Sequence, residues 1–206
     1  MHQWIPAPST ICAALPPHKH QDLMTAAVER DGAGQRALLD SDRGAARAAF
    51  AEAAELYRQS WEVAPASAYG RLVGLLKSSI LAGGGIEAAS YVRATLGDRD
   101  PESSTASYAQ ALAALILESD EDAEVWAARM GDGTDAFGRT GQAIAALAAR
   151  DEGAYAVALT AIVRDFEQRA EHLTGVAIAD TALMLSELGA RRGMAVTVDS
   201  PVLPAL

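Results

Sequence analysis

Apolar side chains recur along this chain at intervals of three and four residues, in stretches of helix length set apart by short polar turns. Ala46, Phe50, Ala53, Tyr57 and Trp61 fall on one helical face, and Pro65 follows as a stop. Tyr69, Leu72, Val73, Leu76 and Ile80 form the next stripe, with Gly70 and Gly74 one turn apart where a neighbouring backbone could approach closely. Tyr108, Leu112, Leu115 and Ile116 form another, and Tyr155, Leu159, Ile162 and Phe166 make the longest clean stripe before Thr174 and Gly175 interrupt it. The punctuation is Ser41-Asp42-Arg43-Gly44, Gly83-Gly84-Gly85, Ser119-Asp120-Glu121-Asp122, Gly131-Asp132-Gly133 and Arg150-Asp151-Glu152-Gly153.

The pattern predicts an all-α fold of eight or nine helices, arranged as antiparallel helical hairpins stacked into a short α-solenoid. The first helix is expected from about Gln21 to Leu39, with a break at Asp31-Gly32. Others are expected over Glu87–Leu96, Thr134–Ala149 and Ala177–Arg192. Several ends carry their own signals. Asp100 precedes Pro101 as an N-cap before a proline at the first helical position, and Ser119 with Asp122 has capping-box spacing. Gly193 follows Arg191 and Arg192 as a helix stop. Six of the eight prolines lie near the ends, which predicts an extended N-terminal arm over 1–20, a helical-repeat domain over 21–193 and an extended tail over 194–206. Met194 to Val198 has strand-like residues without a partner run, so it is expected to lie along the last helices.

Composition narrows the function classes. Half of the 206 residues are hydrophobic but only 5% are aromatic, which predicts a core of small side chains and close helix approach. The formal net charge of −10 argues against nucleic acid, which demands a basic footprint, and suits a basic partner. Cys12 is the single cysteine and there are four histidines, a poor supply for a disulfide or a Cys/His metal site, so a reducing cytoplasm and no metal or other cofactor are expected. Pro6 and Pro8 interrupt the opening segment, which lacks the basic flank of a signal peptide, and no apolar run approaches the ~20 residues that span a bilayer.

Motif chemistry is sparse. Gly83-Gly84-Gly85-Ile86-Glu87-Ala88 fits G-x-G-x-x-A, but the residues before it read as helix where a dinucleotide site needs a strand. Gly131-Asp132-Gly133-Thr134-Asp135-Ala136 fits the same pattern and is read as a turn. Lys77-Ser78 lacks the preceding glycine of a P-loop, and HExxH, CxxC and GxSxG do not occur. The densest polar cluster is Arg164, Asp165, Glu167, Arg169, Glu171 and His172, with Asp180 in the next helix. On a continuous helix Asp165, Arg169 and His172 share a face, where carboxylate, guanidinium and imidazole could form a site or simply a solvated ion-paired surface. Tyr69, Arg71 and Lys77 form a second candidate binding group, since Tyr and Arg are enriched at interaction hot spots, although Tyr69 fits the core equally well. His2, His18 and His20 sit in the expected arm, too sparse for a tight metal site.

Two resemblances enter on specific residues. Ala46, Phe50 and Ala53 reproduce the spacing of the second helix of a tetratricopeptide repeat, and Asp151, Tyr155 and Ala158 repeat it loosely, while that repeat's Trp-Leu-Gly-Tyr first-helix pattern is absent. The closing run from Arg192-Gly193-Met194 through Asp199-Ser200-Pro201-Val202-Leu203-Pro204, with the helices before it, resembles the C-terminal end of the all-helical immunity 49 family of bacterial polymorphic-toxin systems. The resemblance covers the last quarter of the chain and implies a cytoplasmic protein that blocks a toxin by binding it. The first expectation is therefore a non-enzymatic protein–protein interaction module, with a protein or peptide partner. Its rivals are a small-molecule binder or enzyme using Asp165, Arg169, His172 and Asp180, which requires those side chains to converge, and self-association through Trp4 and Ile5.

Overall fold

A computed structural model describes residues 19–97 and 102–204. The described residues form nine α-helices: α1 (Lys19–Leu39), α2 (Arg43–Glu62), α3 (Gly70–Leu81), α4 (Ile86–Leu96), α5 (Ser104–Ile116), α6 (Asp120–Ala127), α7 (Ala136–Ala148), α8 (Glu152–Glu167) and α9 (Asp180–Arg191). The all-α hairpin architecture is as the periodicity predicts. The expected N-cap at Asp100 and Pro101, and the arm carrying Trp4, Ile5, His2 and His18, lie outside the described residues. Lys19 and His20 do not belong to an arm, because α1 already includes them, and Asp31-Gly32 does not break it.

Four hairpins are closed by one recurring turn. At the end of α1 the amide of Asp42 donates to the Ala37 carbonyl at 2.8 Å, with Ser41 left-handed at φ 60° between them. Glu118 (φ 59°) and Arg150 (φ 57°) do the same after α5 and α7, where Ser119 and Asp151 donate to Ala114 and Ala146. Gly83 (φ 95°) does so after α3, where Gly84 donates to Ser79. This is the Schellman arrangement, which satisfies the carbonyls a helix leaves open at its C-terminus. The next residue then starts the returning helix: Asp42 accepts from the Ala45 amide and Asp151 from Ala154, both at 2.9 Å. Ser119 occupies the same position, but its side chain makes no capping bond and Asp122 instead pairs with Arg93, so the expected capping box does not form.

α5 lies at the centre, buried on every side from Ala106 to Leu115 and packed against α3, α4, α6 and α7. A helix apolar all round has nowhere else to go, and five alanines over this stretch keep its neighbours close. α9 then touches both α3 and α7, so the stack of hairpins is closed by its last helix. Small residues also receive rings. The Phe50 ring lies against Gly34 of α1, and the Tyr57 ring against Gly74 of α3, where a Cβ would stand 2.7 Å from the ring. Gly74 thus admits an aromatic ring, not the backbone that the Gly70–Gly74 spacing suggested, and Gly70 faces open space.

Past Gly193 the chain runs without regular structure beside the last two helices. Met194 and Val202 are buried, the Ala179 amide donates to the Val202 carbonyl at 2.7 Å, and the Ser200 hydroxyl donates to Glu167 at 2.7 Å. The expected packing of the tail on the final helices is therefore present. Gly74→Ala adds helix propensity but forces the Tyr57 ring to move; a net loss of about 1–2 kcal/mol is expected in equilibrium urea unfolding.

Candidate functional site

The polar residues of greatest interest meet where α9 closes against α3. Lys77 of α3 forms an ion pair with Asp180, the first residue of α9, and both side chains are less than a quarter exposed. Burial works against the Lys77 ammonium, but Asp180, and then Tyr108 and Asp31, more than offset it, so its pKa lies above the ordinary lysine value. Behind the pair, Asp31 of α1 accepts hydrogen bonds from the Tyr57 hydroxyl at 2.8 Å and the Ser78 hydroxyl at 2.7 Å. Burial raises its pKa to about 6, against the pull of those two hydroxyls and of Lys77.

This ion pair forms one wall of a cavity of about 220 Å³ framed by α1, α3, α5, α7, α8 and the α8–α9 connection. On the opposite wall Asp165 accepts from Arg139 at 2.5 Å and from Arg169 at 2.5 Å. The Arg169 guanidinium lies 3.7 Å over the Phe166 ring, and His172 stacks on that ring at 6.1 Å between centroids. Phe137, Ile162, Phe166, Leu173 and Ile178 supply apolar surface. Tyr108 points in from α5, edge-on to Phe137. Its hydroxyl is buried and donates no hydrogen bond within the protein, and burial pushes its pKa up to about 12 against the opposing influence of Lys77 and Thr181.

Four of the residues singled out from the sequence, Asp165, Arg169, His172 and Asp180, thus converge on one cavity, and Lys77 joins them from the other group. The route differs from the expected one. α8 ends at Glu167, so Arg169 and His172 lie on the turn beyond it and reach the cavity by wrapping around Phe166, not along a helical face. Tyr69 and Arg71 do not share the site. Tyr69 is buried with its ring 6.0 Å from Trp61. Arg71 donates to the Ser60 hydroxyl at 2.7 Å and contacts the His20 ring nitrogen at 2.9 Å, tying α3 to α2 and α1. Asp31, Tyr108 and Arg139 are the residues that sequence reading missed. Asp31 gives no distinguishing signal, because it lies in the polar run Glu29-Arg30-Asp31-Gly32, which reads as a helix break.

The remaining motifs are turns. The three-glycine run follows helix α3 directly, so the strand that a dinucleotide fingerprint requires is replaced by a helix. Among the described residues no group of three His, Cys, Asp or Glu side chains could hold a metal ion, and no helix is long and apolar enough to cross a membrane. Comparison with family models, with curated proteins and with solved structures finds no match to this chain.

Because the Asp31 carboxyl holds its proton more tightly folded than unfolded, the native state binds more protons between pH ~4 and ~6 and stability falls as pH rises through that window. Denaturant unfolding at pH 4 to 8 should show a decline of up to roughly 3 kcal/mol in the wild type that is absent from Asp31→Asn. Parallel curves for the two proteins would remove Asp31 as the cause.

Proposed function

We infer that this is a non-enzymatic protein–protein interaction module of helical-hairpin type acting in the cytoplasm, with toxin neutralisation as the specific version that its closing segment implies. The observation that carries the reading is a groove of about 750 Å³ between α7 and α8, bordered by α6. Its floor is almost entirely alanine, with Val157 72% exposed, and Glu124 and Asp151 stand at its rim. An apolar floor with an acidic rim suits an amphipathic helix that carries basic residues, and the overall charge of −10 favours the same kind of partner.

The polar cavity supports binding over catalysis. Asp165 and Asp180 are held by cations, the Thr140 hydroxyl donates to the Ala136 carbonyl, and Thr174 donates to Gln35. Side chains committed to one another in this way are poorly placed to take protons from a substrate. The convergence of Asp165, Arg169, His172 and Asp180 nevertheless favours, as a second reading, a small-molecule binder at that cluster.

Affinity capture from the native cytoplasm, followed by titration of the purified partner, tests the first reading. Val157→Glu replaces an exposed apolar side chain with a good helix former, so the melting curve should hardly change. Affinity for the partner should drop at least about ten-fold. An unchanged dissociation constant would place the interface elsewhere, and a partner whose toxicity persists when bound would remove the immunity version.

A further inference from the structure

The cavity between α3 and α9 is far less acidic than the molecule as a whole. Lys77, Arg139 and Arg169 face Asp165 and Asp180 across it, and Asp31 acts on Lys77 from behind, so cations and carboxylates balance here in a chain whose net charge is −10. Asp31 stands behind Lys77 with one oxygen on Tyr57 and the other on Ser78, so it is turned away from the cavity. Two donors at the cavity have capacity to spare. Lys77 gives one hydrogen to Asp180 and has two more. Tyr108 is 7% exposed, and its hydroxyl donates to nothing in the protein. A buried donor without an acceptor is costly, and the cost is relieved by an acceptor that enters from outside.

We propose that this cavity is a binding site for a small amphipathic carboxylate, whose oxygens accept from the Tyr108 hydroxyl and the Lys77 ammonium while its apolar body rests on Phe137, Ile162 and Phe166. The proposal is independent of the α7–α8 groove and stands whether or not a protein docks there. An apolar cavity of ~150 Å³ admits benzene, so about 220 Å³ fits a ring or branched chain bearing one carboxylate. A cationic ligand would meet the spare donors of Tyr108 and Lys77 with no acceptor of its own. An inorganic anion would leave the apolar wall uncovered. Leu173, 75% exposed at the cavity lining, gives the apolar end of the ligand a contact on the way in.

Benzoate and 3-methylbutanoate are suitable probes, titrated into the full chain by calorimetry, with benzylamine and inorganic phosphate as controls. Saturable one-to-one binding of a carboxylate probe is expected, with each control at least about ten-fold weaker. Tyr108→Phe should weaken the carboxylate about ten-fold, the scale of one hydrogen bond to a charged group. The same substitution removes an unsatisfied hydroxyl, so the unfolding midpoint of the free protein should stay level or rise, whereas a hydroxyl that served only the fold would lower it. Failure of both carboxylates to saturate, equal binding of benzylamine or phosphate, or full affinity in Tyr108→Phe would each overturn the proposal.

Discussion

α9 is held at both ends by side chains that reach across the molecule, and the closure of the helical stack depends on those contacts. At its N-terminus Asp180 pairs with Lys77 of α3. At its C-terminus Arg191 donates to the carbonyls of Gly84 at 2.7 Å and Ile80 at 3.1 Å, and Arg192 donates to Leu115 at 2.7 Å and Leu147 at 3.4 Å. Two consecutive arginines thereby serve the C-terminal ends of α3, α5 and α7, where carbonyls lack intrahelical partners and the helix dipoles are negative. Arg192 also pairs with Asp120 at the start of α6 and is only 5% exposed. The chain can turn away immediately afterwards because Gly193 takes φ 73° and Met194 donates back to Gly189 at 2.8 Å, completing a Schellman stop.

Once α9 is fixed in this way, the remaining features follow from geometry. Hairpins that stack only on their neighbours would leave an open end; here the last helix returns to α3, and a polar cavity is left where the return is imperfectly filled. The connection that leads into α9 carries Thr174 against Gln35 and Gly32 of α1, so this connection and the first helix are drawn to the same place. Tyr57 links the two kinds of packing. Its ring fills the space beside Gly74, and its hydroxyl holds Asp31 at the back of the Lys77–Asp180 pair.

Local features were legible in the sequence because they are written in local spacing. The stripes through Phe50, Leu76, Leu112 and Leu159 became buried faces, Asp42 and Asp151 became helix caps, and Gly193 became a stop. Misreadings arose where a residue answers to something distant in sequence. Arg191 and Arg192 read as the last turn of their own helix, whereas, the Arg191–Glu187 pair apart, their side-chain hydrogen bonds run to other helices. Asp31-Gly32 read as a break because an acid and a glycine weaken a helix in isolation, yet the carboxylate is satisfied by Tyr57 and Ser78 and the glycine lies against Thr174. Asp165 and Asp180 were recognised as polar candidates, but their convergence required the turn after α8, and Tyr108 looked like one more core aromatic in its stripe. Tertiary contacts such as these leave no periodic trace.

The claim that α9 closes the fold through its buried arginines is tested most directly by equilibrium unfolding of Arg192→Met beside Arg30→Met, whose ion pair with Glu52 is more than half exposed on both sides. Methionine retains much of the Arg192 packing but removes the guanidinium that donates to the Leu115 and Leu147 carbonyls and pairs with Asp120. The account predicts a loss of about 3 kcal/mol or more for Arg192→Met and less than about 1 kcal/mol for Arg30→Met. Small and similar losses for the two variants would contradict it, and would mean that apolar packing alone holds α9 in place.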